Sequence, residues 1–127
     1  MSKTRRGMHI TEKISNQMKR SFNSTNCSAI RDVSFLVDET SNAPAFVIRF
    51  VYGVKGVADV QELLTLRFVN VREFDLENCD SGGVSLGELL FYDHEDGSPL
   101  HIGDEAGDFG LVCEDVEFVT IEPMRWR

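Results

Sequence analysis

Alternation of apolar and polar residues over positions 45–77 limits the choice of fold more than any other feature of this sequence. The segment consists of strand-length blocks that are rich in β-branched and aromatic residues and are separated by turn signals. Side chains two positions apart on a strand share a face, so the blocks predict a sheet with one face against a hydrophobic core. The predicted core face consists of Phe46, Ile48, Phe50, Tyr52, Leu64, Leu66 and Phe68, followed by Phe74 and Leu76.

The flanking segments predict one helix and several more strands. Four apolar residues recur at intervals of four, namely Ile10, Ile14, Met18 and Phe22. This spacing predicts a helix over residues 11–21, with Thr11 as its N-cap. Strands are expected at 29–37, 45–52, 63–69, 71–77, 86–93, 100–102 and 111–122, and the first two are expected to pair. The alternation changes phase near Asn70, which one long strand with a bulge explains; two strands with a tight turn are the alternative.

These elements predict a mainly β (α+β) fold, either a single antiparallel β-sandwich or an open barrel, with one N-terminal helix. The chain has 127 residues, which is enough to bury a core without metals or disulfides. We expect residues 1–8 to be a disordered basic N-terminus and residues 9–127 to form a single β-rich domain. The sequence contains no apolar run near the length of about 18 residues that spans a bilayer, and no signal-peptide pattern, so we expect a cytoplasmic protein.

The three cysteines indicate reduced thiols. Cys27, Cys79 and Cys113 are odd in number and far apart in sequence. Zinc sites usually contain close cysteine pairs, and a disulfide framework needs an even count. The sequence therefore predicts three buried, reduced cysteines and no metal site made from them.

The charge of the chain is acidic and unevenly distributed. The formal net charge is −8, but residues 1–20 hold six basic residues and one acid. The other 107 residues carry seven basic and twenty acidic groups, a net charge of −13. Such a surface repels nucleic acid and anionic membranes and favours cationic partners. We therefore expect a basic protein partner.

The most concentrated group of charged residues lies at positions 93–108, where six acids and two histidines fall within sixteen residues. Such a segment can be a metal-binding loop, a solvated acidic loop or a partner-binding surface. The spacing does not fit an EF-hand, because the sixth residue from Asp93 is Ser98 rather than glycine, and the two histidines are seven residues apart. We therefore predict no metal site. The predicted partner contacts are Asp93, Glu95, Asp96, Asp104, Glu105 and Asp108.

A second candidate site is a charged sheet face that combines Arg49 and Arg67 with Glu73 and Asp75. These residues are expected either to form exposed cross-strand ion pairs or to contact a partner. Neither Gly-x-Ser-x-Gly, His-Glu-x-x-His nor a complete phosphate-binding loop occurs in the sequence. We therefore predict no catalytic residue, no cofactor-binding residue and no cofactor.

Two short patterns resemble a known class of proteins. Residues 30–35 read Ile-Arg-Asp-Val-Ser-Phe, and residues 66–71 read Leu-Arg-Phe-Val-Asn-Val, followed by Phe-Asp-Leu at 74–76. In these segments the chain resembles the small acidic β-rich immunity proteins of bacterial polymorphic toxin systems. The resemblance implies a non-catalytic protein that blocks a cationic toxin domain by occlusion.

Two functional hypotheses follow, and a third arrangement stays open. The first is a non-catalytic acidic protein-binding module. The second is a small-ligand or metal-binding β domain, with or without enzymatic activity, in which an apolar cavity is lined by Phe46, Ile48, Phe50, Leu66 and Phe68. The third is a homo-oligomer whose exposed strand edges pair.

Overall fold

The computed structural model describes residues 4–5, 8–37, 39, 44–53, 61–76, 84–86, 89–94, 100–104 and 109–124. Their helices are α1 (Met8–Met18) and a short 3₁₀ helix (Ser24–Asn26). Their strands are β1 (Thr4–Arg5), β2 (Cys27–Val37), β3 (Pro44–Tyr52), β4 (Glu62–Val69), β5 (Glu73–Leu76), β6 (Val84–Ser85), β7 (Leu89–His94), β8 (Leu100–Asp104), β9 (Phe109–Cys113) and β10 (Asp115–Pro123).

These strands form two five-stranded sheets in which neighbouring strands are antiparallel. Sheet I has the order β10-β4-β3-β2-β6, and sheet II has the order β1-β7-β8-β9-β5. The predicted pairing of the first two long strands is confirmed, since Ile48 of β3 lies opposite Val33 of β2. The mainly β fold with antiparallel sheets and an N-terminal helix is also confirmed.

Both sheets contribute to one hydrophobic core. From sheet I, all the predicted residues from Ile48 to Phe68 are buried, and Phe46 packs against them while partly exposed. The predicted core residues Phe74 and Leu76 are also partly exposed and pack against this core, but they come from β5 of sheet II. Sheet II adds alternate residues of its own strands, Leu89, Phe91, Leu100, Ile102, Phe109, Leu111 and Cys113. The two sheets therefore enclose a shared core, as the layers of a β-sandwich do.

Helix α1 begins three residues earlier than predicted and ends earlier too. Thr11 lies inside the helix, where its carbonyl accepts a hydrogen bond from the Ser15 hydroxyl at 2.8 Å. The helix ends because Lys19 adopts a left-handed conformation (φ 62°) and the Arg20 N–H donates to the Ser15 carbonyl at 3.2 Å. This bond pattern is that of a Schellman motif, which a lysine satisfies here without glycine.

The helix spans the gap between the two sheets, in contact with β10 and β7. Its buried stripe is the predicted one, Ile10, Ile14 and Met18. The Lys13 ammonium binds the Asp115 carboxylate at 2.7 Å, and the Gln17 side-chain oxygen accepts from the Phe118 N–H at 2.8 Å. A side chain of the helix thus satisfies a backbone donor on the edge strand β10.

The chain changes sheets at two positions where continuous strands were expected. Asn70 has a left-handed conformation (φ 54°), and the next strand, β5, pairs with β9 in sheet II rather than extending β4. The interpretation as one bulged strand is therefore wrong, and two strands joined by a turn is correct. The predicted strand 111–122 is likewise divided at Glu114, whose N–H donates to the Val69 carbonyl at 3.0 Å.

Two residues of the predicted disordered N-terminus lie in a strand. Thr4 and Arg5 pair with His94 and Asp93 at the edge of sheet II. The structure differs from the expectation at these residues and at Met8, where α1 starts. Residues 1–3 and 6–7 lie outside the described residues.

Candidate partner-binding site

The six predicted partner contacts do not form one continuous loop, because β8 runs through the middle of the segment. Tyr92 lies opposite His101 and Leu89 lies opposite Asp104, so Asp93 and Asp104 lie toward opposite ends of the β7–β8 pair. At about 3.4 Å per residue this separation is on the order of 13 Å. Glu95, Asp96, Glu105 and Asp108 lie outside the described residues.

Asp104 is not available to a partner. Leu100, Ile102 and Asp104 alternate on β8 with the more exposed His101 and Gly103, so the carboxylate of Asp104 is on the core side of the strand and the residue is only 7% exposed. The sequence placed it in a polar, glycine-rich loop, whereas the strand continues two residues further than predicted. We therefore correct the prediction and leave Asp104 out of the candidate surface.

The predicted charged face is also corrected, since its members lie on different sheets. Glu73 and Asp75 belong to β5 of sheet II, whereas Arg49 and Arg67 belong to sheet I. Arg49 instead binds Asp32 on the neighbouring strand, with its Nε 2.8 Å from both carboxylate oxygens. This hydrogen bond lowers the pKa of Asp32 and raises that of Arg49.

Glu73 and Asp75 line a groove on the outer face of sheet II. In register, Glu73 lies opposite Val112, which lies opposite His101; Asp75 lies opposite Gly110, which lies opposite Gly103. The groove has a volume of about 410 Å³, and its outward-facing lining residues are Glu73, Asp75, His101, Gly110 and Val112. A Cβ at Gly110 would meet nothing within 4 Å, so the missing side chain leaves open space above the backbone. We call this feature the glycine groove.

The surroundings of the glycine groove are acidic because of how charge is distributed along the chain. Residues 73–124 contain fifteen of the twenty-one acids and no lysine or arginine. All of sheet II except β1 comes from this segment. Glu73 and Asp75 are both exposed. The sequence analysis did not predict this site because it grouped acids by their local frequency. The 52-residue stretch without lysine or arginine is the sequence feature that indicates it.

A second, polar depression of about 480 Å³ lies where the segment after α1 meets the end of β3 and the start of β4, and its lining includes Arg20, Asn23, Tyr52 and Glu62. Arg20 forms two bonds to the Glu62 carboxylate, at 3.0 and 2.7 Å. The Tyr52 hydroxyl accepts from the Asn23 N–H at 2.9 Å, and burial raises the pKa of Tyr52. These bonds connect the segment after the helix to sheet I, so we assign them a structural role.

Cys27 and Cys113 are free and buried, as predicted, and Cys79 lies outside the described residues. Burial raises the pKa of both thiols, that of Cys113 to about 12. A thiol of such high pKa stays protonated near neutral pH, which is the opposite of what a cysteine nucleophile requires.

The residues proposed to line a ligand cavity are part of the core. Ile48, Phe50, Leu66 and Phe68 have no exposed surface, and the rings of Phe50 and Phe68 meet edge to face with centroids 6.3 Å apart. Phe46 stacks on Phe74 of sheet II at 4.6 Å. These contacts use the aromatic residues to join the two sheets, and they give no support to a ligand cavity among them.

Within the part of the chain that the structure describes, no group of three or more His, Cys, Asp or Glu residues is arranged to hold a metal ion. The same residues include no helix that is long and apolar enough to cross a membrane. Comparison of the chain with protein families, with curated proteins and with solved structures finds no match. A proposal about function therefore depends on the geometry and charge of the surfaces.

Proposed function

We propose that this chain is a non-catalytic protein-binding module that binds a basic partner through the acidic outer face of sheet II. The observation that supports the proposal is the glycine groove, where two exposed carboxylates stand beside a strip of backbone without side chains. The groove lies on a sheet whose strands β5, β7, β8 and β9 contain no lysine or arginine.

The geometry suits an arginine or lysine side chain of the partner. Glu73 and Asp75 are two residues apart on an edge strand, so both carboxylates are on the same face. The long side chain of a basic residue can lie across Gly110 while its charged end reaches one or both carboxylates. Arginine fits best, because its planar guanidinium binds carboxylates with two parallel hydrogen bonds.

The charge distribution also favours fast encounter with such a partner. An acidic face whose strands β5, β7, β8 and β9 carry no lysine or arginine attracts a cationic protein over distances up to the Debye length of about 8 Å at physiological salt. This attraction raises the association rate more than it raises the equilibrium affinity.

The resemblance to immunity proteins suggests the biological setting. In that setting the partner is a cationic toxin domain, and the module neutralises it by covering its functional surface. The carboxylates would compete with phosphate groups for the basic residues of the toxin. The proposal includes the predicted cytoplasmic location.

The test compares two double variants with the same change in net charge, from −8 to −4. Glu73→Lys/Asp75→Lys changes the glycine groove, and Glu12→Lys/Glu39→Lys changes exposed acids elsewhere. Binding kinetics are measured against cationic proteins, beginning with any toxin domain encoded beside this gene, at low and high salt. The groove variant should associate about tenfold more slowly at low salt and dissociate faster. The control should lose only the smaller, long-range part of the association rate.

Two results would contradict the proposal. In one, both variants change binding to the same extent, which would mean that net charge alone matters. In the other, the unchanged chain binds none of the basic proteins.

A further inference from the structure

We infer that the outer face of sheet I is a self-association surface, on which a second copy of this chain packs about a two-fold axis parallel to the strands. This inference concerns the sheet opposite the glycine groove and does not depend on the proposed function.

The outer face of sheet I has an apolar centre. Val47, Arg49 and Val51 alternate on β3 with the buried Ile48 and Phe50, so they are on the face away from the core. Register places their neighbours on the same face, which carries the apolar residues Leu36, Ala45, Val47, Val51, Leu63 and Val69. All of these except Ala45 are partly exposed. The solvated face of an antiparallel sheet usually alternates to polar residues, so this face has the composition of an interface.

Charge indicates which molecule covers this face. Its charged residues are Arg31, Arg49, Arg67, Asp32, Asp115, Glu117 and Glu122, and Lys13 of α1 binds Asp115. Together these charges sum to zero, although the whole chain has a net charge of −8. Two copies repel each other through most of their surfaces. Approach through a face of balanced charge with an apolar centre costs the least, which favours a second copy over a strongly charged partner.

The positions of the charges select the axis. A two-fold axis parallel to the strands places β10 of one copy over β2 of its partner and β4 over β3. In that arrangement Leu63 comes over Val51, and Glu122 faces the part of β2 that carries Arg31, in two symmetric copies. An axis in the face but across the strands would instead place β10 over β10, with Glu122 facing Asp115. Lys13 already binds that carboxylate, so Glu122 would gain no opposite charge of its own there.

The size of the face sets the expected strength. Four strands about 4.8 Å apart and seven residues at about 3.4 Å each give a patch of about 20 by 24 Å. Two such patches bury roughly 900 Å², close to the order of 1,000 Å² at which specific interfaces begin. We therefore expect a weak dimer that dissociates on dilution.

The test exchanges the charges of Arg31 and Glu122 and measures dimerisation by sedimentation equilibrium over a wide range of chain concentration. Glu122→Arg opposes Arg31 of the partner, and Arg31→Glu opposes Glu122; each should weaken dimerisation about tenfold or more. The double variant Arg31→Glu/Glu122→Arg restores opposite charges and should restore the dimer. Glu12→Arg, which makes the same charge change as Glu122→Arg on an exposed position of α1, is the matched control and should not weaken it.

The charge exchange separates a local contact from a general charge effect. Glu122→Arg changes the net charge from −8 to −6, which by itself reduces repulsion between copies, so weaker association can come only from the face. Far-UV circular dichroism and thermal melting establish that each variant is folded. A chain that stays monomeric at all concentrations overturns the inference. So does a dimer that survives both single changes, or a double variant that fails to recover it.

Discussion

Sheet I and sheet II share one core but differ in length and in what their outer faces carry. The strands β2, β3, β4 and β10 of sheet I have eleven, nine, eight and nine residues, whereas β5, β7, β8 and β9 of sheet II have four, six, five and five. The outer face of sheet I combines arginines, acids and an apolar centre. That of sheet II has glycines and carboxylates.

The core pattern and the outer charge of this chain vary independently of each other. Inward-facing residues are large and apolar in both sheets. The outer faces follow the division of the sequence at Arg72, beyond which no cation occurs until Arg125. Because each sheet comes mainly from one side of this division, the molecule presents a balanced face and an acidic face to different partners. We therefore expect the two sheets to unfold as one unit and to differ in their surface chemistry.

The largest effect is expected from removing a buried ring in either sheet. Phe50→Ala in sheet I and Phe109→Ala in sheet II should each lower the free energy of unfolding by about 3–5 kcal/mol. A shared core predicts that both variants unfold in one transition, which urea titration followed by circular dichroism measures. Phe35→Ala is the control: its ring is 61% exposed, so the loss should stay below about 1 kcal/mol. Two separate transitions would show that the sheets are independent units.

The alternation of residues predicted the inward side of the strands and the helix stripe, but not sheet membership. Leu66 and Phe74 both face the core, yet they belong to opposite sheets. In a sandwich both sheets direct alternate residues to the same core, so period-two patterns look alike in each. The pairing of strands, and the left-handed conformation of Asn70, decide where the chain crosses.

The candidate site was predicted less well than the fold, for a related reason. The high local frequency of acids in the sequence grouped Asp104 with loop residues, but Asp104 belongs to β8 and lies on the core side of that strand. Glu73 and Asp75 share a face, as predicted, but this face belongs to sheet II, whereas the arginines predicted beside them lie on sheet I. Contacts between distant segments depend on register, which a single sequence does not specify. The acidic character of the outer face, in contrast, was present in the sequence as a segment without cations.

Each sheet contains one buried thiol that reports on its accessibility to solvent, Cys27 on β2 of sheet I and Cys113 on β9 of sheet II. Burial raises the pKa of Cys113 from 9.0 to about 12, which lowers the thiolate fraction of Cys113 near pH 8 about 1,000-fold. Burial raises the pKa of Cys27 still further. In a Cys79→Ser background, both thiols should therefore react with a disulfide reagent far more slowly in the folded chain than in urea, and Cys27 should be the slower of the two. Rapid labelling of Cys113 alone would show that sheet II opens by itself.

Because both pKa values are raised on folding, the two thiols contribute their full stabilisation below pH 9. This contribution to the free energy of unfolding decreases between pH 9 and 12.

Charge reversal should have opposite effects in the two sheets. Glu62→Lys places a cation beside Arg20 and removes a two-bond ion pair, so it should lower the free energy of unfolding by about 1 kcal/mol. Asp75→Lys relieves repulsion among the acids of sheet II and should raise it by a few tenths of a kcal/mol. Urea unfolding at low salt measures both. If the two changes had the same sign, the contrast between a compensated and an uncompensated surface would be wrong.

The smallest effect concerns the exposed pair of Asp32 and Arg49 on the outer face of sheet I. Asp32→Asn should lower the free energy of unfolding at pH 7 by about 0.2–1 kcal/mol, because an exposed ion pair is screened by water. The Arg49 hydrogen bond lowers the pKa of Asp32 below its usual value of 3.8. The contribution of the pair is therefore complete above pH 3.8 and disappears as the pH falls through the lowered pKa. Unfolding measured from pH 2.5 to 7 should show the variant and the unchanged chain converging at the acid end. Asp75→Asn, the matched change on sheet II, has no such partner among the described ion pairs, so it should not lower the free energy of unfolding at pH 7. If both variants lost the same stability at pH 7, the arginines would not distinguish the two faces.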